Sequence, residues 1–157
     1  MSDLYLTLKL VHVLGAAVLF GTGLGIAFFM WMAHRTRDAA AIAHTARIVV
    51  IADLVFTATA VLIQPVTGAG LALLVGYSTF HFWIVATIVL YVLVGLCWLP
   101  VVWIQLQLRN VAAAAVRDGT ALPERYFRLF RIWFWLGWPA FAGVIAIFAL
   151  MIWKPQW

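Results

Sequence analysis

The chain has 157 residues, of which 67% are hydrophobic and only 10% are charged, and its mean hydropathy is +1.09. So little polar surface excludes a globular domain that folds in water. The formal net charge of +5 comes from cationic residues near the ends of apolar segments and not from basic runs. This distribution argues against nucleic acid as a partner.

The apolar segments indicate that a lipid bilayer is the solvent. In lipid every backbone N–H and C=O group must be satisfied within the protein, so only helices and closed barrels cross a membrane. The segments here are 20 or more residues long and do not alternate with period two, as barrel strands would. We therefore predict an all-α fold, a single transmembrane domain of four helices over residues 1–157. The predicted spans are residues 4–32, 40–64, 81–108 and 127–153.

The first predicted span begins close to the N-terminus without a basic region before it. Its apolar stretch is also too long for the core of a cleaved signal, so we interpret it as a membrane helix. Gly21 and Gly25 form a GxxxG spacing within it. Small residues at this spacing let helices approach closely in lipid. Packing within the bundle is the favoured interpretation, with dimerisation as the alternative.

Two prolines, Pro65 and Pro100, are expected to interrupt the second and third spans. Pro65 lacks a backbone N–H, and it predicts the end of the second span. The uncharged stretch that follows, residues 67–79, is either a short interfacial helix or an extension of that span. Pro100 predicts a kink in the third span. Cys97 is the one cysteine, which excludes a disulfide within the chain and a cysteine-based metal site.

The distribution of basic residues predicts the orientation. Eight arginines lie in or beside the first and third connections, whereas Lys9 and Lys154 lie on the opposite side. Basic connections stay in the cytoplasm. We therefore predict a multi-pass membrane protein with both termini on the outer side. The eight are Arg35, Arg37, Arg47, Arg109, Arg117, Arg125, Arg128 and Arg131.

His12 is the first candidate functional residue, because ionisable side chains at membrane depth are costly and mark functional sites. It lies about two turns into the first span, on one helical stripe with Ala16 and Gly23. The small residues leave space for a porphyrin, and a neutral imidazole is a common axial ligand of haem iron. Lys9, one turn nearer the outer side, is a candidate partner for a haem propionate. The alternative is that His12 only bonds a neighbouring helix.

The remaining histidines divide into two groups. His81 begins the third span on the same side as His12, so it is a candidate second ligand of haem iron. An interfacial histidine without a ligand role is the alternative. His34 and His44 flank the first connection, where no third ligand has suitable spacing for a metal. We interpret both as solvated turn residues.

Asp53 places a carboxyl group within the second span. Asp53, Thr57 and Gln64 fall on one helical face together with small residues. That face must point into the bundle, since a lipid-facing aspartate costs several kcal/mol. Two interpretations remain open. The face is a polar or proton path beside a cofactor, or Asp53 is a protonated side chain that bonds a neighbouring helix.

Six segments distributed over almost the whole chain carry a family resemblance. They are Lys9–Gly15, Gln64–Gly68, Cys97–Gln105, Tyr126–Arg131, Leu136–Phe141 and Leu150–Pro155. They resemble a bacterial family of predicted integral membrane proteins of unknown function, which implies the bacterial inner membrane with both termini on the periplasmic side.

In layout that family is similar to HemJ-type protoporphyrinogen oxidases and CopD copper-resistance proteins. HemJ-type proteins also have a lysine and a histidine early in their first helix, as Lys9 and His12 are here, so the resemblance implies haem b. The methionines lack the clusters that Cu(I) binding needs.

Together these observations predict a haem b-binding integral membrane protein with a redox or electron-transfer role. Whether it is an enzyme, an oxidoreductase, stays open. The expected partners are the lipid bilayer and either a redox partner or further copies of the chain. The alternative is a non-enzymatic membrane subunit or assembly factor without a cofactor. A metal or small-solute transporter is the least supported class, because the sequence has one small polar stripe and no evident inverted repeat.

Overall fold

The computed structural model describes residues 3–78 and 80–155, which form four long helices. Each helix is long and apolar enough to cross a membrane, and the described residues contain no strand. The all-α, four-helix prediction is therefore confirmed. The side of the membrane on which the termini lie stays a prediction. The helices are α1 (Asp3–Thr36), α2 (Ala39–Val75), α3 (Phe82–Asp118) and α4 (Glu124–Trp153).

Local interactions explain where several of the helices begin and end. The carboxylate of Asp38 accepts hydrogen bonds from the backbone N–H groups of Ala40 (3.0 Å) and Ala41 (3.3 Å), which caps the start of α2. Gly76 and Gly119 end α2 and α3 in the left-handed conformation, with φ of 78° and 63°. Glycine adopts this conformation without a steric cost.

Three arginines lie at a similar height in the bundle. Arg47, Arg109 and Arg131 are each about two helical turns, ~12 Å, from the end of their helix at a polar connection. We call this height the arginine level. On α4, the 22 residues from Arg131 to Trp153 rise about 33 Å, close to the thickness of the hydrocarbon core. The arginine level therefore corresponds to one membrane surface.

The closely packed core lies at and near the arginine level. Tyr126, Ile42, Leu108 and Ala112 are completely buried there. In water such apolar burial stabilises the fold, and this end of the bundle extends beyond the hydrocarbon. The core residues are Ile26, Met30, Ala33, Ile42, Ala46, Val49, Ile104, Leu108, Ala112, Tyr126, Phe130 and Trp133.

The opposite half of the bundle is more open. There α1 packs along α2 and α3 packs along α4, whereas α1 makes no substantial contact with α3 within the described residues. Phe20 of α1 reaches α4 through its edge-on contact with Phe141. The outward faces expose many large apolar side chains. Lipid tails cover such faces without penalty, so this half does not need a closely packed core.

Helix α2 continues through Pro65 to Val75, so the prediction that Pro65 ends the span is wrong. Of the two alternatives for the following stretch, the structure shows the extension of the span. A proline leaves the carbonyl oxygen four residues earlier without its intrahelical donor, and that oxygen belongs to Val61. The hydroxyl group of Tyr91 on α3 donates to the Val61 oxygen. The lost backbone bond is thus replaced from the neighbouring helix, as lipid requires.

The GxxxG pair is not used for packing within the chain. A Cβ atom added at Gly21 or Gly25 would meet no described atom within 4 Å, so the interpretation of these two residues as packing positions is wrong. Gly23, between them, does face the bundle and approaches the ring of Phe141. The close approaches of α1 to α2 occur at Gly15, Gly68 and Gly70, nearer the N-terminus of α1.

The contact between Tyr91 and Val61 generates a prediction about stability. We expect Tyr91→Phe to lower the free energy of unfolding by about 1 kcal/mol, because it leaves the Val61 oxygen without a donor. In a Pro65→Ala background residue 65 supplies an N–H group, so the same change should cost far less. Thermal unfolding in one detergent would measure both. An equal cost in the two backgrounds would contradict this account.

Candidate functional site

The polar side chains inside the bundle form two separate clusters. We call the first the histidine cluster: His12 of α1 with Gln64, Thr67 and Gly68 of α2. His12 Nδ1 lies 2.8 Å from Thr67 Oγ1, and Gln64 Nε2 donates to the backbone oxygen of His12 over 2.9 Å. These contacts hold α1 against the part of α2 on either side of Pro65.

The hydrogen bonds of Thr67 favour one tautomer of His12. The hydroxyl group of Thr67 has one hydrogen, and the backbone oxygen of Ile63, an acceptor, lies 2.9 Å from it. When the hydroxyl group donates to that oxygen, its own oxygen accepts from Nδ1–H of His12. The lone pair of the neutral imidazole is then on Nε2, and no described residue donates to that atom. His12 thus presents an unprotonated ring nitrogen.

Two glycines permit this close approach of α1 and α2. A Cβ atom added at Gly68 would lie 3.2 Å from Cε1 of His12, and one added at Gly15 would lie 2.5 Å from Nε2 of Gln64. The space beside these glycines is therefore filled by side chains of the histidine cluster. Larger residues would separate the two helices.

The second group, the aspartate cluster, lies where α2 contains a π-helical turn, Asp53–Thr57. It consists of Asp53 and Thr57 of α2, Trp98 and Gln105 of α3, and Trp133 of α4. The side chains of Asp53 and Gln105 are each only 3% exposed. Turns of π-helix are rare and often occur at functional sites.

The two indole groups determine the donor directions in the aspartate cluster. An indole N–H can only donate, so Gln105 directs its Oε1 atom toward Trp133 Nε1 at 3.3 Å. The amide nitrogen of Gln105 then donates to Asp53 Oδ2 over 3.1 Å. Trp98 Nε1 donates to Asp53 Oδ1 over 3.3 Å. Both carboxyl oxygens of Asp53 thus accept N–H bonds from neighbouring helices.

Thr57 adds a hydroxyl group to this cluster. It is buried one turn after Asp53, and its Oγ1 atom has no hydrogen-bond partner among residues 3–78 and 80–155. An unpartnered buried hydroxyl group is costly in a low-dielectric interior.

The predicted polar path through Asp53, Thr57 and Gln64 is divided between the two clusters. In a regular α-helix Asp53 and Gln64 would share a face, because eleven residues are close to three whole turns. The π-turn between them adds about one residue, a rotation of roughly 100°. Gln64 therefore faces α1, while Asp53 faces α3 and α4. The role of these residues as a proton path stays a prediction.

Sequence reasoning missed Trp98, Gln105 and Trp133 as partners of Asp53. Gln105 could have been predicted, since a glutamine within a membrane span is as unusual as an aspartate. Trp98 and Gln105 are also seven residues apart, which places them on one face of α3. Nothing in the sequence distinguishes Trp98 and Trp133 from the other tryptophans, of which the chain has nine in all.

His81 and Lys9 lie at the same end of the bundle as the histidine cluster. His81 Nδ1 is 2.7 Å from the carbonyl oxygen of Ser78, which can only accept, so Nδ1 carries the proton and Nε2 the lone pair. The ring of His81 also contacts that of Tyr77 edge-on. Lys9 is exposed, and its Nζ atom lies 5.9 Å from the centre of the Tyr5 ring. The predicted site residues therefore share one end without touching one another.

Two further polar atoms at this end have no partner among the described residues. Nε1 of Trp83 and Oγ1 of Thr87 are buried and make no hydrogen bond within residues 3–78 and 80–155. One turn separates them, so both are on the same face of α3 as Tyr91. Each can donate one hydrogen bond to a group that enters this half of the bundle.

His34 and His44 differ in the structure. His44 is exposed, as predicted, whereas the interpretation of His34 as a solvated turn residue is wrong. The ring of His34 stacks face to face on Phe130, with centres 3.6 Å apart and planes 4° apart. Across the described residues no three His, Cys, Asp or Glu side chains lie together in a way that would hold a metal ion.

The fold and its interior define an all-α membrane protein with two polar clusters between its helices. The chain belongs to the family described as predicted integral membrane protein (DUF2269), which it matches over residues 6–155. This confirms the family resemblance found in the sequence, while the likeness in layout to HemJ-type and CopD proteins stays a hypothesis. No curated protein and no solved structure matches the chain.

The donor directions in the aspartate cluster can be tested by exchanging the amide and the carboxylate. Asp53→Asn places an amide N–H against a donor, and Gln105→Glu places two carboxylates together, so each should lower the free energy of unfolding by about 1–3 kcal/mol. In the double variant every donor again meets an acceptor. We expect it to recover most of the loss, measured by thermal unfolding in detergent. Additive losses would contradict the assigned directions.

Proposed function

We propose that the chain is a haem b-binding membrane protein with a redox or electron-transfer role, and that His12 is an axial ligand. The observation that carries this proposal is the orientation of its imidazole. With Nδ1–H directed to the Thr67 hydroxyl group, the lone pair of Nε2 is available. Histidines that bind metals commonly have this arrangement, in which a second residue fixes the tautomer and the ring direction. Haem bound at this position would supply one-electron chemistry.

Other groups at the same end are consistent with a bound macrocycle. His81 shows the same pattern, because its Nδ1–H is directed to a backbone carbonyl oxygen and its Nε2 has no described partner. It is the candidate second ligand. The helices that carry the two histidines make no substantial contact, so the space between them is not closed by direct packing. Trp83 and Thr87 contribute unpartnered donors at the same end of the bundle, and Lys9 is the candidate partner of a propionate.

A second candidate function is a non-enzymatic membrane subunit or assembly factor. The observation that favours it is that the histidine cluster also joins two helices. Gln64 donates to the backbone of His12, and the His12 ring fills the space beside Gly68. In that case His12 would contribute to stability and not to cofactor binding. The two functions therefore predict different effects of the same substitution.

A visible absorption spectrum of the protein, purified after expression with ample haem, distinguishes them. We expect a Soret band that His12→Ala abolishes and that His81→Ala weakens or shifts. His44→Ala is the matched control, because His44 is exposed at the other end of the bundle and should leave the spectrum unchanged. Thr67→Val should perturb the band, since it removes the acceptor that orients His12.

A colourless wild-type protein would contradict haem binding. A stable His12→Ala variant that keeps an unchanged Soret band would exclude His12 as the ligand. If His12→Ala lowers the unfolding temperature of a protein that never binds haem, the result supports the membrane-subunit function.

A further inference from the structure

A groove lined by aromatic residues lies between α1 and α4 near the arginine level. Its volume is about 270 Å³, and it is open to the surroundings of the bundle. It is distant in the fold from the histidine cluster, because it lies at the opposite end of α1. The lining residues are Trp31, His34, Phe127, Phe130, Arg131 and Phe134.

Buried contacts hold the wall of this groove in place. His34 stacks on Phe130, and its Nδ1 atom lies 3.3 Å from the hydroxyl group of Tyr126. Tyr126 is completely buried and Phe130 is nearly so. The aromatic surface is therefore a preformed part of the packed core.

Two guanidinium groups accompany the aromatic surface. Arg131 lines the groove, and the guanidinium carbon of Arg35 lies 5.2 Å from the centre of the Trp31 ring. Within residues 3–78 and 80–155 neither arginine has a carboxylate within 4 Å, and the ion pair that does occur there joins Arg117 to Asp118.

The acidic residues nearest in sequence do not pair with these two arginines. Asp38, three residues after Arg35, caps α2 through the N–H groups of Ala40 and Ala41. Glu124, seven residues before Arg131, is exposed in the first turn of α4 and makes no ion pair with a described residue. An anion that binds both arginines would therefore come from outside the described part of the chain.

We propose that this groove binds the headgroup of an anionic phospholipid. Arg131 and Arg35 would bind the phosphate, because the guanidinium fork matches phosphate oxygens. The aromatic rings would contact the glycerol and the first methylene groups. The height of the groove fits this occupant, since the arginine level lies at a membrane surface, where basic pockets between helices bind lipid headgroups.

The combination of surfaces favours a lipid over other ligands. A free phosphate ion would satisfy the arginines but would leave the rings of Phe127 and Phe134 uncovered. A neutral lipid or a quinone would cover the rings but would leave two guanidinium groups without an anion. An anionic phospholipid satisfies both requirements.

Native mass spectrometry of the detergent-solubilised chain, titrated with phosphatidylglycerol, tests the proposal. We expect one tightly retained lipid, and we expect Arg131→Gln to weaken its binding about fivefold. Arg109→Gln is the matched control, because it removes the same charge at the same level outside the groove. It should leave the affinity almost unchanged. Phosphatidylcholine should bind more weakly than phosphatidylglycerol to the wild-type chain.

Several results would overturn the proposal. Equal losses in Arg131→Gln and Arg109→Gln would show attraction by overall charge and not a site. Equal binding of the two lipids would exclude recognition of the anionic headgroup. Full displacement of the lipid by millimolar inorganic phosphate would show a plain anion site. If Arg131→Gln does not fold, Arg35→Gln should give the same selective loss, and its failure to do so counts equally against the proposal.

Discussion

Two indole N–H groups that can only donate determine how three helices meet inside the bundle. The amide of Gln105 must accept from Trp133, so it must donate to Asp53, whose other oxygen accepts from Trp98. Buried polar groups in a low-dielectric interior are costly unless all are satisfied, and alternative arrangements of α2, α3 and α4 would leave some of them unpaired. The apolar core around Tyr126 packs beside this cluster and shares Trp133 with it.

Beyond the π-turn a different kind of contact stabilises the bundle. Lipid tails compete with side chains for apolar surface, so helices there associate through close approach and hydrogen bonds. The pairs formed by Gly68 with His12 and by Tyr91 with Val61 are of this kind. The contact with Gly68, together with the hydrogen bond to Thr67, also fixes the direction of the His12 ring. His12 can therefore both pack two helices together and bind a metal, since a metal-binding side chain must be held in a fixed direction to be effective.

The sequence was sufficient to predict the four membrane spans, because hydropathy over long windows reflects the requirement for helices in lipid. Helical periodicity also placed His12 and Asp53 on inward faces, as observed. The continuation of α2 through Pro65 was not predictable locally, because the compensating donor, Tyr91, belongs to another helix. Asp53 and Gln64 face different helices because a π-turn adds one residue between them. A constant period of 3.6 residues per turn cannot represent that addition. The stacking of His34 likewise depends on a contact with α4.

The arginine level has a consequence for how the protein meets bilayers of different thickness. Guanidinium groups on three helices, Arg47, Arg109 and Arg131, keep that end of the bundle at the headgroups. A change in hydrophobic thickness is then accommodated mainly at the opposite end. In a thicker bilayer the region around His12 and His81 would lie deeper in hydrocarbon, whereas the surroundings of Asp53 would change little. Bilayer thickness would thus alter the water exposure of one polar cluster independently of the other.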